Sequence, residues 1–398
     1  MQWRKTIQEN HLQIDVLMVM GALLAVVSLF LERRLPFLFI GLLAIYFLFI
    51  RVYNKKMGEK LILVNPTRFT RVFVGEELHF EIKIRNHSVM PYMEGYLYFD
   101  ASHNVMNHNY FHLKYGEWNT YRIPISIVGK DEVSATVPLK AMSRGKMGIR
   151  NIRYTFSHPL TFETVELAFD DHYDTTAIIY PNAKFVQNIT KTHDNYFGEE
   201  TSPFSTYEDV LQPIHTRDYL PSDSFKRIHW KASAKRQTLQ TKVFEHNQNL
   251  SWLLLINIAV KSPLGNDYVS KDAEKYLSEA AYIAKHIIKQ GLPVEMFVNN
   301  HTTSGPLHVK EGKGIGHFRR ILEALAIVDV NNIYPMNSIF YLVSNQHMHS
   351  QRIIYLGDSD NDNRESIEEL KTLGHQVFYI EASTLLPFAA KGRERHEV

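Results

Sequence analysis

Two long uncharged apolar runs stand near the start of the chain and are separated by only three residues. They cover residues 16–31 and 35–50, with the charged sequence ERR between them. A helix that crosses a bilayer needs roughly 20 apolar residues, and somewhat fewer suffice when flanking side chains reach the interface. A cleaved signal peptide does not account for the second run, and a buried hairpin in a soluble protein is the remaining alternative. The pattern predicts a transmembrane helical hairpin within residues 1–54, in contact with the lipid bilayer over residues 12–53.

More basic residues flank this hairpin than lie in its turn. The flanks carry Arg4, Lys5, Arg51, Lys55, Lys56 and Lys60, whereas the turn carries Arg33 and Arg34. Cytoplasmic ends of membrane helices are enriched in Lys and Arg. We therefore expect a two-pass protein of the cell membrane, with both termini and the soluble part on the cytoplasmic side.

Composition excludes several kinds of chemistry. A chain of 398 residues is long enough for two or three domains. It contains no cysteine, which excludes disulfides, thiol nucleophiles and thiolate metal sites. Its net charge is only +2, so composition alone does not favour a nucleic-acid partner.

The hydropathy pattern changes twice after the hairpin. Residues 61–181 contain short segments that alternate apolar and polar side chains, such as ELHFEIKIRN, which predict an immunoglobulin-like β-sandwich. Residues 182–207 are polar and predict a linker. Over 251–385, apolar strands alternate with amphipathic helices, which predicts a doubly wound parallel α/β domain followed by a tail at 386–398. Within that domain, residues 337–345 fit either a strand or a helix.

Ligands of open α/β sheets bind outside the carboxyl ends of the strands. Asn257, Ala259 and Lys261 follow the first predicted strand of this domain, and Asp358 and Asp360 follow a later one. Neither glycine-rich phosphate-binding pattern occurs in the chain. The sequence thus places polar residues at the usual ligand position, without a phosphate loop or a cofactor signature.

The segment 208–250, between linker and α/β domain, contains RDYLPSDSFKRIHWKASAKRQ and allows three interpretations. Asp223 and His229, with serines nearby, suggest a hydrolase. Seven basic and three acidic residues between 217 and 245, interleaved with aromatic rings, suggest a nucleic-acid surface.

The third interpretation, which we favour, is docking. Arg217 and Arg227 would hold carboxylates bidentately, while Tyr219 and Trp230 would anchor the segment against the α/β domain. The residues after 237 would then join the domain's sheet as an edge strand.

This segment resembles the family called "domain of unknown function 58". The pattern R-x-Y-x-x-G-D, then R-x-I-D/H-W-x-x-S-A-R/K, then L and K-x-x-E, is matched here at Arg217, Tyr219, Asp223, Arg227, Ile228, His229, Trp230, Ser233, Ala234, Lys235, Leu239, Lys242 and Glu245. Ser222 stands where the family usually has glycine. The resemblance extends upstream over SRGKMGIRNIRYTFSHPLTFETVEL, which is similar to the family's sandwich segment.

The resemblance implies a von Willebrand A-like domain in a membrane protein, without an agreed enzymatic activity. It also implies partners, because such genes stand beside those of MoxR-type AAA+ ATPases and transglutaminase-like membrane proteins. Von Willebrand A domains commonly bind a divalent metal through D-x-S-x-S after the first strand. Asn257, Ala259 and Lys261 occupy those positions here, and Asp358 or Asp360 would lie on the third loop.

Hard cations require anionic oxygen ligands. With the first carboxylate replaced by Asn257, we expect no metal and no other cofactor. The sequence therefore predicts a membrane-anchored, non-enzymatic binding or scaffold protein of the bacterial cell envelope, with nucleic acid as a disfavoured partner.

Overall fold

The chain folds into two compact units, Met1–Tyr180 and Pro181–Val398. The computed structural model describes residues 3–7, 11–31, 35–64, 69–171, 173–189, 208–246, 251–262, 265–346, 352–358 and 361–388. Much of the predicted linker and tail (190–207 and 389–398) lies outside the described residues.

Unit 1 begins with a strand and two helices and continues as a succession of strands. The first elements are β1 (Trp3–Ile7), α1 (His11–Leu31) and α2 (Leu35–Lys56). The strands that follow are β2 (Leu61–Val64), β3 (Phe69–Phe73), β4 (Glu77–Asn86), β5 (Tyr92–Ser102), β6 (Val105–Met106), β7 (Phe111–Tyr115), β8 (Trp118–Ile127), β9 (Glu132–Ala141), β10 (Gly145–Met147), β11 (Ile149–Ser157), β12 (Thr164–Phe169) and β13 (Thr176–Tyr180).

These strands form three sheets, ordered β1-β12-β11-β5-β8-β7, β2-β4-β9-β6 and β10-β13-β3. The pairs are antiparallel except β13 with β3. Strand β4 shows how the sequence produces them: Leu78, Phe80, Ile82 and Ile84 are buried while the residues between them are more exposed. Alternate side chains of a strand point to opposite faces, so one face joins the core. The prediction of a β-rich first soluble part is confirmed.

The N-terminal strand β1 was not expected from the sequence, which suggested a helical hairpin from residue 1. Residues Trp3–Ile7 pair antiparallel with β12. The Trp3 side chain is buried, and its indole N–H donates to the Leu61 carbonyl at 2.9 Å. Burial of one large aromatic ring with its N–H satisfied explains why so short a strand joins the sheet.

Helix α2 has an exposed apolar surface, and its C-terminal end packs into the core of unit 1. Within the described residues, one helical segment, Leu38–Lys56, is both long enough and apolar enough to cross a membrane. Its side chains at Leu38, Leu42 and Ile45 are exposed, whereas Tyr53 belongs to the hydrophobic core of the unit. The Tyr53 hydroxyl donates to the Pro91 carbonyl at 2.9 Å. The helix therefore ends fixed to the β-rich part.

The first two strands of unit 2 form a ribbon that encloses a small helical insertion. The elements are β14 (Glu208–Asp218), a 3-10 turn at Phe225–Arg227, α3 (Trp230–Arg236) and β15 (Gln240–His246). β15 pairs antiparallel with β14, from Asp218↔Gln240 to Glu208↔His246. The prediction that β15 is an edge strand of the α/β sheet is wrong. The chain reverses between residues 218 and 240, so β14 already offers β15 an adjacent backbone to pair with.

The rest of unit 2 is an α/β domain. Its elements are β16 (Trp252–Ile256), β17 (Ala259–Lys261), β18 (Asp267–Val269), α4 (Ala273–Lys289), β19 (Val294–Thr302), β20 (Gly305–Gly312), α5 (Gly314–Ile327), α6 (Met336–Gln346), β21 (Arg352–Leu356), α7 (Asn361–Thr372), β22 (Gln376–Glu381) and β23 (Thr384–Pro387). The sheet order is β20-β19-β16-β21-β22-β23. β19, β16, β21 and β22 are parallel, and both edge strands are antiparallel.

Residues 337–345 fold as helix α6, which resolves the ambiguity of the sequence. Ile339, Phe340 and Val343 are buried in one cluster with Leu253 and Ile353 of the sheet. Residues spaced by three or four positions share one face of a helix. Ile339, Phe340 and Val343, which had suggested a strand, form this buried face, whereas Tyr341 is exposed.

Candidate functional site

The segment between β14 and β15 is built around a bidentate ion pair. Arg217 Nη1 donates to Asp223 Oδ2 at 2.8 Å, and Nη2 donates to Oδ1 at 2.6 Å. Asp223 Oδ2 also accepts from the Leu220 backbone N–H at 3.0 Å and from the Thr241 hydroxyl at 3.1 Å. Two residues six apart thereby close the loop onto the ribbon, as expected for bidentate Arg–carboxylate pairing.

The same contacts keep the Asp223 carboxylate charged. Its pKa is lowered to about 2, first by the hydrogen bond from Arg217 and then by the Leu220 N–H. A general base that works near neutral pH needs a pKa close to that pH. Asp223 therefore lies far from the range of a proton acceptor.

His229, Ser233 and Gln240 connect helix α3 to strand β15. His229 Nδ1 accepts from the Ala232 N–H at 3.1 Å, so the ring caps the N-terminus of α3. The Ser233 hydroxyl donates to the His229 carbonyl at 3.0 Å and accepts from the Gln240 N–H at 2.8 Å. Ser233 and Gln240 are buried. His229 and Ser233 both belong to the sequence pattern matched between Arg217 and Glu245, the signature, and the structure brings them together with Gln240.

Trp230 does not anchor the segment in the way expected from the sequence. Its side chain is 67% exposed, and Phe225 is 71% exposed. Tyr219 is half-buried: its hydroxyl donates to the Asp223 carbonyl at 3.2 Å. The expectation failed because Trp230 occupies the first turn of a seven-residue helix whose buried residue is Ser233.

The other signature residues stand as follows. Arg227 is exposed and Lys242 is half-buried. The side chain of Glu245 lies outside the described residues, although its backbone belongs to β15. The docking role of the signature stays a prediction.

The carboxyl edge of the parallel sheet contains a closed network of amides and a phenol. Asn257 follows β16 and donates through Nδ2 to the Tyr355 hydroxyl at 3.0 Å. Its Oδ1 accepts from Asn299 Nδ2 at 2.6 Å and from the Ala259 N–H at 3.0 Å. Asn299 Oδ1 in turn accepts from the Ile258 N–H at 2.6 Å. Neutral groups thus satisfy one another near the carboxyl ends of the neighbouring parallel strands β16, β19 and β21.

Asp358 is a carboxylate at this edge, and its two oxygens have protein partners. Oδ2 accepts from the Ser270 hydroxyl at 2.8 Å, and Oδ1 accepts from the Tyr276 hydroxyl at 2.9 Å. Burial, reinforced by the hydrogen bond to Asp358, raises the pKa of Tyr276 above its ordinary value. Tyr276 therefore remains a neutral donor, and Asp358 secures the loop after β21 to the start of α4.

A cleft of about 140 Å³ opens beside this network. It is lined by Asn257, Ala259, Lys261, Gly265, Asp267, Asn299, Pro335, Met336, Asn337 and Asn363. Three of the residues singled out from the sequence, Asn257, Ala259 and Lys261, therefore share one wall of it. Asp360 lies outside the described residues. Within the described residues, no group of three or more His, Asp or Glu side chains is arranged to hold a metal ion.

Sequence reasoning missed Asn299, Tyr355, Ser270 and Tyr276. Asn299 lies towards the carboxyl end of β19. The rule that ligands bind at the carboxyl ends of parallel strands, which pointed to Asn257, would therefore also have pointed to Asn299. Tyr355 and Tyr276 sit inside a strand and a helix, where an aromatic residue predicts core packing. Only the contacts of their hydroxyls show the additional role.

Comparison with known proteins gives a family for part of the chain. Residues 215–340 match the family described as protein of unknown function DUF58. The DUF58 match begins in β14 and ends within α6, so it includes most of the signature segment and the first part of the α/β domain. The resemblance found in the sequence is confirmed over this range.

One curated relative and two solved structures complete the comparison. The uncharacterized protein YeaD of Bacillus subtilis (strain 168) is 26% identical over 167 residues, which cover 41% of this chain and 38% of the relative. This chain therefore spans less than half of that relative's length. The C-terminal domain of Wzt is 10% identical over 29% of this chain and 66% of its own, with a TM-score of 0.20. The sporulation control protein Spo0M of Bacillus subtilis is 12% identical over 34% of this chain and 53% of its own, with a TM-score of 0.17.

Proposed function

We propose that this chain is a membrane-anchored, non-enzymatic binding or scaffold protein of the cell envelope. A two-helix hairpin would anchor it, a β-sandwich would follow, and a metal-degenerate von Willebrand A-like domain would bind the partner. The partner proposed is a MoxR-type AAA+ ATPase or a neighbouring envelope protein such as a transglutaminase-like membrane protein. The soluble part would face the cytoplasm.

The carboxyl edge of the parallel sheet is the observation that carries this proposal. At the position where α/β enzymes place reactive groups, Asn257, Asn299 and Tyr355 hydrogen-bond to one another. The Asp358 carboxylate is already used by Ser270 and Tyr276. Because these groups are already bonded to one another, the edge forms a rigid frame beside the open cleft, which suits recognition of a partner better than bond cleavage.

The anchor is supported by the way unit 1 holds both ends of the apolar helices. Strand β1 precedes α1 and pairs with β12, while the end of α2 enters the same unit through Tyr53 and Met57. A chain that leaves a unit in α1 and returns to it in α2 must reverse direction between them. This connectivity favours a hairpin whose two ends lie on one side of the bilayer.

The hydrolase alternative gains no support from the geometry of Asp223 and His229. Asp223 is paired with Arg217, and His229 Nδ1 caps α3. A double variant, Asp223→Asn with His229→Gln, compared with the parent protein in hydrolase screens, tests this directly. Hydrolysis by the parent that the double variant loses would overturn the non-enzymatic proposal.

The partner is tested by affinity purification of the full chain from native membranes, followed by mass spectrometry. We expect enrichment of an AAA+ ATPase or an envelope protein. Asn337→Arg places a long cation in the cleft, and disruption of an interface centre commonly weakens binding about five-fold or more. Tyr341→Arg, an exposed position on the same helix α6 outside the cleft lining, is the matched control.

Two results would contradict the proposal. If the purified preparation contains no ATPase and no envelope protein, the proposed partner is contradicted. Equal recovery of the partner with Asn337→Arg and Tyr341→Arg would show that the cleft is not the docking face.

A further inference from the structure

The insertion between β14 and β15 exposes an unusual number of apolar side chains for so short a segment. Leu220, Phe225, Trp230 and Leu239 are 53%, 71%, 67% and 44% exposed. Exposed cations stand among them, namely Lys226, Lys231, Lys235 and Arg236. We call these eight residues the basic–apolar surface. Clustered exposed apolar groups rimmed by charge commonly mark a binding surface.

The four apolar side chains belong to one hydrogen-bonded structure. The Tyr219 N–H donates to the Leu239 carbonyl at 2.9 Å, so the residue next to Leu220 in the chain is bonded to Leu239. The Phe225 ring packs on Tyr219 with 5.8 Å between centroids. The His229 N–H donates to the Gln240 carbonyl at 2.8 Å and so places Trp230 near the same strand start. The four exposed apolar residues therefore all belong to one hydrogen-bonded, structured insertion.

Among the described residues, the acids in and beside the insertion do not neutralise the charge of this surface. Asp223 is paired with Arg217, and Asp218, the last residue of β14, accepts from Gln240 Nε2 at 2.6 Å. The surface lysines and Arg236 are exposed to solvent. Cations next to exposed apolar groups fit a partner that offers negative charge above a hydrophobic layer.

We propose that the basic–apolar surface docks on an anionic bilayer, with its apolar side chains in the headgroup region and its cations on lipid phosphates. This inference rests in part on the proposed anchor, since an anchor in the same chain raises the effective concentration of lipid to about the millimolar range. Each cation near an anionic surface strengthens binding about five-fold.

The aliphatic half of the surface distinguishes lipid from nucleic acid. Trp230 and Phe225 suit either a bilayer interface or base stacking. Leu220 and Leu239 have no π face to stack on a base, whereas both gain from burial among lipid chains. The docking surface is therefore better matched to a membrane than to a single strand.

The experiment uses the full chain reconstituted into vesicles of phosphatidylcholine, with or without a third of the lipid replaced by phosphatidylglycerol. Brominated lipids quench tryptophan at the bilayer, and comparison with Trp230→Phe assigns the signal to Trp230. We expect quenching that depends on Trp230 to rise at least about two-fold with phosphatidylglycerol, and the triple variant Lys226→Gln, Lys231→Gln, Lys235→Gln to lose this rise because it removes three cations.

The matched control removes three exposed lysines elsewhere in unit 2: Lys271→Gln, Lys285→Gln, Lys289→Gln. It should retain the rise in quenching. Equal quenching in the two lipid mixtures, or an equal loss with both triple variants, would overturn the proposal. Tight oligonucleotide binding that the first triple variant abolishes, without any response to phosphatidylglycerol, would assign the surface to nucleic acid instead.

Failure of the anchor is distinguishable from failure of the surface. Flotation with pure phosphatidylcholine vesicles reports the anchor alone. If the chain does not float with these vesicles, the proposed anchor is contradicted. Flotation with phosphatidylglycerol vesicles then tests the basic–apolar surface by itself. Binding that the first triple variant loses supports the proposed docking on lipid, and absence of binding overturns it.

Discussion

Two single residues, Arg217 and Gly357, show how closely individual positions determine the described sites. The Arg217 guanidinium closes the insertion onto Asp223 through two parallel hydrogen bonds. Gly357, after β21, leaves space for the amide network: a Cβ there would lie 2.7 Å from Asn257 Cβ and 2.9 Å from the Tyr355 hydroxyl. The role of Arg217 follows from the charge and length of its side chain, and the role of Gly357 follows from the absence of a side chain.

The Arg217–Asp223 pair predicts an unusual acid titration. The pKa of Asp223 is lowered to about 2 from an ordinary value of 3.8, so the folded state binds its proton less readily than the unfolded chain. The stabilisation is present above the ordinary value and is lost as pH falls through about 2. In carbon-13 spectra, the Asp223 carboxyl signal should stay constant from about pH 5 to about pH 3.

The control for this titration is Arg217→Gln, which removes the first cause of the shift. The midpoint of Asp223 should then move up towards 3.8. An unchanged midpoint in Arg217→Gln would show that the pair does not lower the pKa.

Gly357→Ala should destabilise the α/β domain by roughly 1–3 kcal/mol, because the added methyl group must displace Asn257 or Tyr355. Gly316→Ala is the control, since nothing lies within 4 Å of its Cβ position in α5. That change should stabilise by about 0.5–1 kcal/mol through helix propensity. Urea unfolding of both variants measures the difference, and equal effects would contradict the close approach at Gly357.

At the scale of elements, helix α3 and strand β15 depend on contacts with each other. A helix of seven residues is too short to be stable by itself in water. It is capped by His229 and joined to β15 through Ser233, whose hydroxyl donates to one backbone carbonyl and accepts from one N–H. The α/β elements differ, because helices such as α4 bury a long apolar face against the sheet.

Ser233→Ala should therefore loosen the link between α3 and β15. Leaving the buried Gln240 N–H without its acceptor costs about 1–3 kcal/mol. Hydrogen exchange at the Gln240 amide should accelerate by at least about five-fold, since about 1.4 kcal/mol corresponds to ten-fold. Ser224→Ala is the control, since Ser224 is exposed and makes no side-chain cap. Equal exchange in both variants would show that Ser233 does not hold the strand.

For the whole molecule, the main feature is the continuity of helix α2 with the core of unit 1. The helix is exposed at Leu38, Leu42 and Ile45 and buried at Ile50 and Tyr53. A helix that spans a membrane and ends in a folded core connects the two rigidly, because its backbone hydrogen bonds continue across the boundary. Unit 2 is a separate compact unit that follows it along the chain.

Ile45→Arg tests whether α2 crosses a membrane. Arginine near the centre of a spanning helix costs about 2.5–3.5 kcal/mol in insertion, whereas Ile45→Val is nearly neutral. The arginine variant should appear in the supernatant of alkaline carbonate extraction, and the valine variant should remain in the pellet. Full retention of both variants in the pellet would contradict α2 as a spanning helix.

The sequence by itself determined the local elements with strong periodicity. Alternation in residues 77–86 predicted β4, and the amphipathic repeats after residue 270 predicted α4, α5 and α7. The apolar run before Ile50 predicted a helix, and the spacing of charged and aromatic residues located the signature segment. These features depend on neighbours along the chain, and so a single sequence contains them.

Only the tertiary structure decided which distant residues meet. β1 joins β12 across more than 150 positions, and β15 pairs with β14 instead of the α/β sheet. Tyr355 contributes a hydroxyl to Asn257, 98 positions away, and Trp230 is exposed rather than packed. Such contacts depend on which backbones and polar groups remain unsatisfied after local folding, and this is a property of the whole packed chain.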